Sequence, residues 1–191
     1  MGSAPGFGEP LIAAGTRVSS PGCNVAGSTV GNTVDTSSTW PASKSTHGKD
    51  VQLDRTPGAG AGYSVLAYLD EHRVPEIRID NDMLGLAVQL QWSPETYPYL
   101  WYWLEAGGVE SFPWFGRAHV LAIEPHTSWP ATGVTAVRES TATHLTIEPG
   151  EERHGFVSVS VSGPELWHSI SSPDLHQSND TPSHRNERNF L

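Results

Sequence analysis

Two neighbouring stretches in the middle of the chain alternate apolar and polar side chains as half-buried strands do. Glu76-Ile77-Arg78-Ile79 is the first, and in the second Leu84, Leu86, Val88, Leu90 and Trp92 share one side. Asp80-Asn81-Asp82 separates them with residues that tolerate turn conformations, so a hairpin is expected. Strand signals surround it: Val51-Gln52-Leu53, Tyr63 to Leu69 beyond the flexible Pro57 to Gly62, and Tyr97 to Leu104, which is crowded with rings. In the last, Tyr99, Trp101 and Trp103 fall opposite Leu100, Tyr102 and Leu104, and both faces are expected to be covered. An apolar run from Arg117 ends on Glu124, Thr143 to Ile147 leads to a turn at Glu148-Pro149-Gly150-Glu151, and Phe156 to Ser162 reads as a half-buried strand. Strands joined by Gly and Pro turns, without an amphipathic helix, predict an all-β sandwich or barrel.

The pattern divides the chain into three. Residues 1–50 are rich in Gly, Ser, Thr and Pro, with short strand hints only at Leu11-Ile12 and Val30 to Val34, and are expected to be loop-rich. Residues 51–163 sustain the alternation and form the expected β-sandwich core. Residues 164–191 make a polar tail, nearly free of core side chains from Ser171 onward, that is expected to be disordered.

Composition narrows the function classes. A formal net charge of −10 with no basic run argues against nucleic acid and against an anionic membrane as partner. Cys23 is the only cysteine, which excludes an intrachain disulfide and the stapled secreted scaffold that goes with it. Neither a signal-peptide pattern nor a membrane-length apolar window is present, so a soluble, cytoplasmic protein is expected. Oligomeric state is left open.

Candidate chemistry gathers between residues 101 and 129. Trp101, Trp103, Phe112, Trp114, Phe115, Glu124, His126 and Trp129 fall on two strands and the loop between them. Flat apolar rings take the C–H face of a sugar, and charged hydrogen-bonding groups take its hydroxyls. Trp101, Trp103, Phe115 and His126 are therefore candidate sugar-binding residues. Against this stands the bland reading, in which the rings are core and Glu124 pairs with Arg117 or Arg138. His126 shares the face of Glu124 if the strand continues past Pro125, whereas His119 has the opposite parity. The histidines show no His-x-x-x-His spacing, and neither a phosphate loop nor a Gly-x-Ser-x-Gly elbow occurs, so no metal and no cofactor are predicted.

Ala122-Ile123-Glu124-Pro125-His126-Thr127-Ser128-Trp129-Pro130, preceded by the ring-rich strand and followed by Leu145-Thr146-Ile147-Glu148-Pro149-Gly150-Glu151, resembles the C-terminal half of the aldose 1-epimerase (galactose mutarotase-like) family. Phe7-Gly8-Glu9-Pro10-Leu11 and Gly15-Thr16-Arg17 extend the resemblance more weakly toward the start. It implies a galactose mutarotase-like β-sandwich (supersandwich), incomplete at its N-terminus. It also implies a free aldose as ligand and interconversion of the α and β anomers by ring opening and closure.

In that family a glutamate takes the C1 hydroxyl proton while a histidine protonates the ring oxygen. By motif match Glu124 is the base. The histidine stands about three residues ahead of the phenylalanine matched by Phe7, where this chain has Ala4, and His126 is the candidate substitute. The expected activity is therefore aldose 1-epimerase-like but weak or absent. The alternatives are a non-catalytic carbohydrate-binding protein and a truncated product without independent function.

Overall fold

The computed structural model describes residues 5–30, 33–35 and 37–163. In chain order the strands are β1 (Gly6–Phe7), β2 (Arg17–Ser19), β3 (Asn24–Val30), β4 (Thr33–Asp35), β5 (Ser38–Thr39), β6 (Ala42–Lys44) and β7 (Asp50–Gln52). There follow β8 (Tyr63–Asp70), β9 (Glu76–Asn81), β10 (Leu86–Trp92), β11 (Tyr99–Ala106), β12 (His119–His126) and β13 (Val157–Ser162), with one short helix, α1 (Val134–Ser140), between the last two. The larger sheet runs β1-β12-β11-β8-β3-β4, with β5 also on β3; the smaller runs β13-β10-β9-β2; β6 and β7 form a pair. The named strands pair antiparallel throughout.

The central alternation produces the expected hairpin. β9 and β10 pair with Ile79 opposite Val88 and Ile77 opposite Leu90, and all four are buried. Their apolar face meets the larger sheet, whose Val65, Leu69, Leu100, Tyr102, Leu104, Leu121 and Ile123 join them in one continuous cluster. The fold is therefore an all-β sandwich, with its core between the sheets. Tyr102 is fully buried, and its hydroxyl donates to the Leu53 carbonyl at 3.0 Å, which removes the cost of a lone buried O–H. No helix among the described residues is long and apolar enough to cross a membrane.

The structure departs from expectation in four places. Six strands lie within the stretch expected to be loop-rich, and Ile12, Val18, Cys23 and Val25 belong to the core, so order does not begin at residue 51. Ile12 reaches the core from a turn, held by Asn81 Nδ2 donating to the Pro10 and Leu11 carbonyls at 2.9 and 3.0 Å, and a turn leaves no alternating pattern. β13, expected to be half-buried, is an edge strand whose Val159 and Val161 are exposed, although they lie opposite the buried Leu90 and Val88. Thr143 to Ile147 forms no strand. α1 was not foreseen because a single side chain, Val137, anchors it. The expected tail, 164–191, lies outside the described residues.

Candidate functional site

β11 and β12 are long, central and in full register, and this decides which side chains meet. Trp101 lies opposite Glu124 on one side and Tyr68 of β8 on the other, so a single row crosses three strands as Tyr68, Trp101, Glu124. The next row is Leu66, Trp103, Ala122, continued by Gly6 of β1. Tyr99 faces His126 across the preceding pair. Because side chains alternate, Tyr99, Trp101, Trp103, Glu124 and His126 all lie on the face turned away from the core. That face is half-open: all five are partly exposed, while Leu100, Tyr102, Leu104, Leu121 and Ile123 behind them are fully buried. The expectation that both faces of the ring-rich strand are covered holds in part: on this face Tyr68 and Glu105 are fully buried, while Tyr99, Trp101 and Trp103 keep some exposure.

Glu124 is half-buried, and burial holds its carboxyl above the ordinary carboxylate range. Its carboxylate makes no hydrogen bond and no ion pair among the described residues, so the pairing with Arg117 or Arg138 does not form. β12 does continue through Pro125, which puts His126 on the Glu124 face. There its ring stacks on Trp101, with centroids 3.8 Å apart and 9° between planes. Burial lowers the His126 pKa, which favours the neutral ring, and the ring lies as a lid on one face of Trp101. The indole of Trp101 is pinned as well, since Nε1 donates to the Ser128 carbonyl at 2.7 Å.

Sequence reasoning named Trp129 but missed what it packs on. Its ring stacks on Tyr68 at 5.5 Å, and Tyr68 meets the edge of Trp101 at 5.7 Å. The Tyr68 hydroxyl shares a hydrogen bond with Thr29 at 2.7 Å and accepts from the Ala131 amide at 3.1 Å, tying β3 and β8 to the loop after β12. Thr141 and Thr143 hold that loop, donating to the Trp129 carbonyl at 2.6 and 2.7 Å. The available signal was parity: Tyr68 alternates with Ala67 and Leu69 but lies far from Trp101 in the chain.

The remaining candidates separate. Trp103 is on the open face, one row from Glu124, with Trp114 tilted against it at 5.4 Å. Phe115 stands farther out on the loop between β11 and β12, edge-on to Phe112 at 5.9 Å. His119 is on the core side, as its parity predicts, and is held by Glu9 at 2.9 Å and the Pro57 carbonyl at 3.2 Å. Ala4 lies outside the described residues. A cavity of about 470 Å³ lined by Asn24, Ser38, Asp70, Glu71 and Trp129 flanks the aromatic row. A larger one of about 1010 Å³, between His47, Lys49, Tyr63 and Glu110, lies at the opposite end of β11 from Glu124. No group of three or more metal-ligating side chains occurs among the described residues.

Residues 6–161, which run from β1 into β13, match the family model described as a domain of unknown function, DUF4432. The chain belongs to the DUF4432 family. No curated protein and no solved structure matches it. The DUF4432 match covers both sheets and the Glu124 face together, so the half-open face lies within the family's domain.

Proposed function

We propose that this DUF4432 protein binds a free aldose on the half-open face of its larger sheet and acts on it as a slow aldose 1-epimerase, with Glu124 as general base. The observation that carries the reading is the Glu124 carboxylate: rigidly placed in a strand, beside aromatic rings, and without a hydrogen-bond or ion-pair partner among the described residues. A carboxylate so placed is free to accept the C1 hydroxyl proton while a pyranose lays its C–H face on a ring. Loss of that proton breaks the bond between C1 and the ring oxygen, and the oxygen then needs a proton. Reclosure on the other face of the carbonyl gives the second anomer.

The acid partner is the weak point of the site. His126 is stacked flat on Trp101 with one nitrogen buried, which suits a wall better than a proton donor. That favours the second reading, carbohydrate binding without turnover. β1 runs antiparallel to β12, and the Pro5 carbonyl accepts from the Ile123 amide at 3.1 Å, so the start of the described chain approaches Glu124. The acid that the resemblance implies ahead of Phe7 is the reason to test Ala4→His.

Polarimetry on α-glucose and α-galactose tests both readings. The expected result is slow mutarotation above the buffer rate, lost in Glu124→Gln and raised in Ala4→His, where a positioned acid contributes about a hundredfold or more. Undiminished activity in Glu124→Gln overturns the assignment of the base. Sugar binding with no turnover in any variant selects the second reading, and no binding overturns both.

A further inference from the structure

Three rings of the loop after β11 stay in water: Phe112 is 80% exposed, Phe115 59% and Trp114 37%. The loop that carries them is firmly built. Trp114 N and Phe115 N donate to the Ser111 carbonyl at 3.1 and 3.0 Å, Gly116 N to Val109 at 2.8 Å, and Arg117 N to Trp114 at 2.9 Å. Phe115 sits at φ 49°, a left-handed conformation that costs a non-glycine residue energy and tends to persist where the surroundings use it. A rigid, strained turn that holds rings outward adds nothing to the core.

The patch is continuous with the Glu124 face. Trp114 leans on Trp103, and Trp103 lies two residues along β11 from Trp101, the partner of Glu124, which is roughly 7 Å along the strand. The rings are angled, 51° between Trp103 and Trp114 and 77° between Phe112 and Phe115, and in the sequence Glu110 and Ser111 precede the loop's rings and Arg117 follows them. A firmly held set of rings flanked by a carboxylate, a hydroxyl and a guanidinium offers apolar faces and hydrogen-bonding groups together, as a pyranose unit requires.

We propose that this loop is a second sugar subsite, so that the ligand is a reducing disaccharide or longer oligosaccharide whose reducing ring lies at Glu124 and whose next ring rests on Trp103 and Trp114. The proposal rests on the reading of the Glu124 face as a sugar site. It adds that the glycosyl unit beyond the reducing ring is recognised as well, by stacking.

Calorimetric titration of the full chain with glucose, galactose, maltose, cellobiose and lactose tests it, using wild type, Trp114→Ala and Phe112→Ala/Phe115→Ala. At least one disaccharide is expected to bind about tenfold more tightly than its reducing monosaccharide, the equivalent of one stacking contact. Trp114→Ala should abolish that gain while monosaccharide affinity stays within about twofold, a change too small to signal a lost contact. Monosaccharide binding with no disaccharide gain overturns the subsite and leaves the Glu124 reading standing; absence of all sugar binding overturns both. A gain that survives both variants overturns the location. Self-association of wild type that disappears in Phe112→Ala/Phe115→Ala, without a disaccharide gain, assigns the patch to contact between copies and also overturns the proposal.

Discussion

The two faces of β11 and β12 differ in kind although they belong to the same residues in alternation. Toward the smaller sheet stand Leu100, Tyr102, Leu104, Leu121 and Ile123, all fully buried, and the one polar atom among their side chains has its hydrogen bond. Away from it stand Tyr99, Trp101, Trp103, Glu124 and His126, all partly exposed, with the buried Glu105 at the strand's far end, and among the described residues the Glu124 carboxylate has no partner. Large rings buried on one side and wet on the other gain only part of their transfer free energy. Incompletely buried rings beside a half-buried carboxylate set this face apart from the core behind it.

The largest effects are expected on the closed face. Leu104→Ala should destabilise the fold by about 2–5 kcal/mol, the range for truncating a fully buried leucine. Trp103→Ala, which removes a larger side chain from the next position, should cost only about 1–2 kcal/mol because its ring is partly in water already. Urea denaturation of the two variants measures the difference. Equal losses would break the comparison and make Trp103 a core residue.

Next in size is the effect of acid on a group packed against the core. His72 lies edge-on to the buried Trp92, with centroids 5.0 Å apart, and burial pushes its pKa down to about 4. The unfolded chain takes up this proton near the ordinary value of about 6.5, so between there and about 4 the unfolded state binds more protons than the folded one. Stability contributed by neutral His72 is thus present above about 6.5 and lost as pH falls through that window. Allowing for the partial exposure of the ring, the loss is on the order of 2 kcal/mol. His72→Phe should flatten the stability profile there; an unchanged slope would show that the ring is not dehydrated in the folded state.

How far the sequence foretold this contrast depends on what each residue needed. The face of Trp101, Trp103 and Glu124 was legible because period-two alternation is a local property, and so was the hairpin of β9 and β10. β3 was not legible: Val25-Ala26-Gly27-Ser28-Thr29 has small side chains, and it becomes a strand by backbone pairing to β8, with an irregularity between Val25 and Gly27. Tyr68 was missed for a related reason, since only the register of β8 against β11 brings it to Trp101. β13 was misjudged in the opposite direction. Its Val-Ser alternation is regular, but alternation says which side chains share a face and not whether anything covers that face.

A sharper test of the open face uses its own fluorophores. Trp101 and Trp103 share the Glu124 face, whereas Trp92 is fully buried on the closed side. Adding glucose or galactose should change tryptophan emission, with Trp101→Phe and Trp103→Phe each reducing the response. A response that survives in both single variants and in the double variant would place the sugar elsewhere. No response at high sugar concentration would return both rings to a structural role.

The smallest effect on stability, and the one that ties the face to chemistry, is at Glu124. Burial raises its pKa, so the folded state holds this proton more tightly than the unfolded chain does. Its contribution therefore favours folding below the unfolded pKa and is lost as pH rises through the raised folded value, leaving a charged, partly dehydrated carboxylate at neutral pH. Glu124→Gln removes that cost. The variant should be slightly more stable than wild type at neutral pH, by less than about 1 kcal/mol given the exposure of the group, and equal to it in acid. If Glu124 is the base, as proposed, anomer interconversion by wild type should rise with pH later than an ordinary carboxylate would permit, and the variant should show none of it. Thermal melts at acid and neutral pH, read beside the pH profile of polarimetric rates, measure both. A variant that is less stable at neutral pH would mean that the Glu124 carboxylate is held by a partner and belongs to the scaffold, leaving the open face without its base.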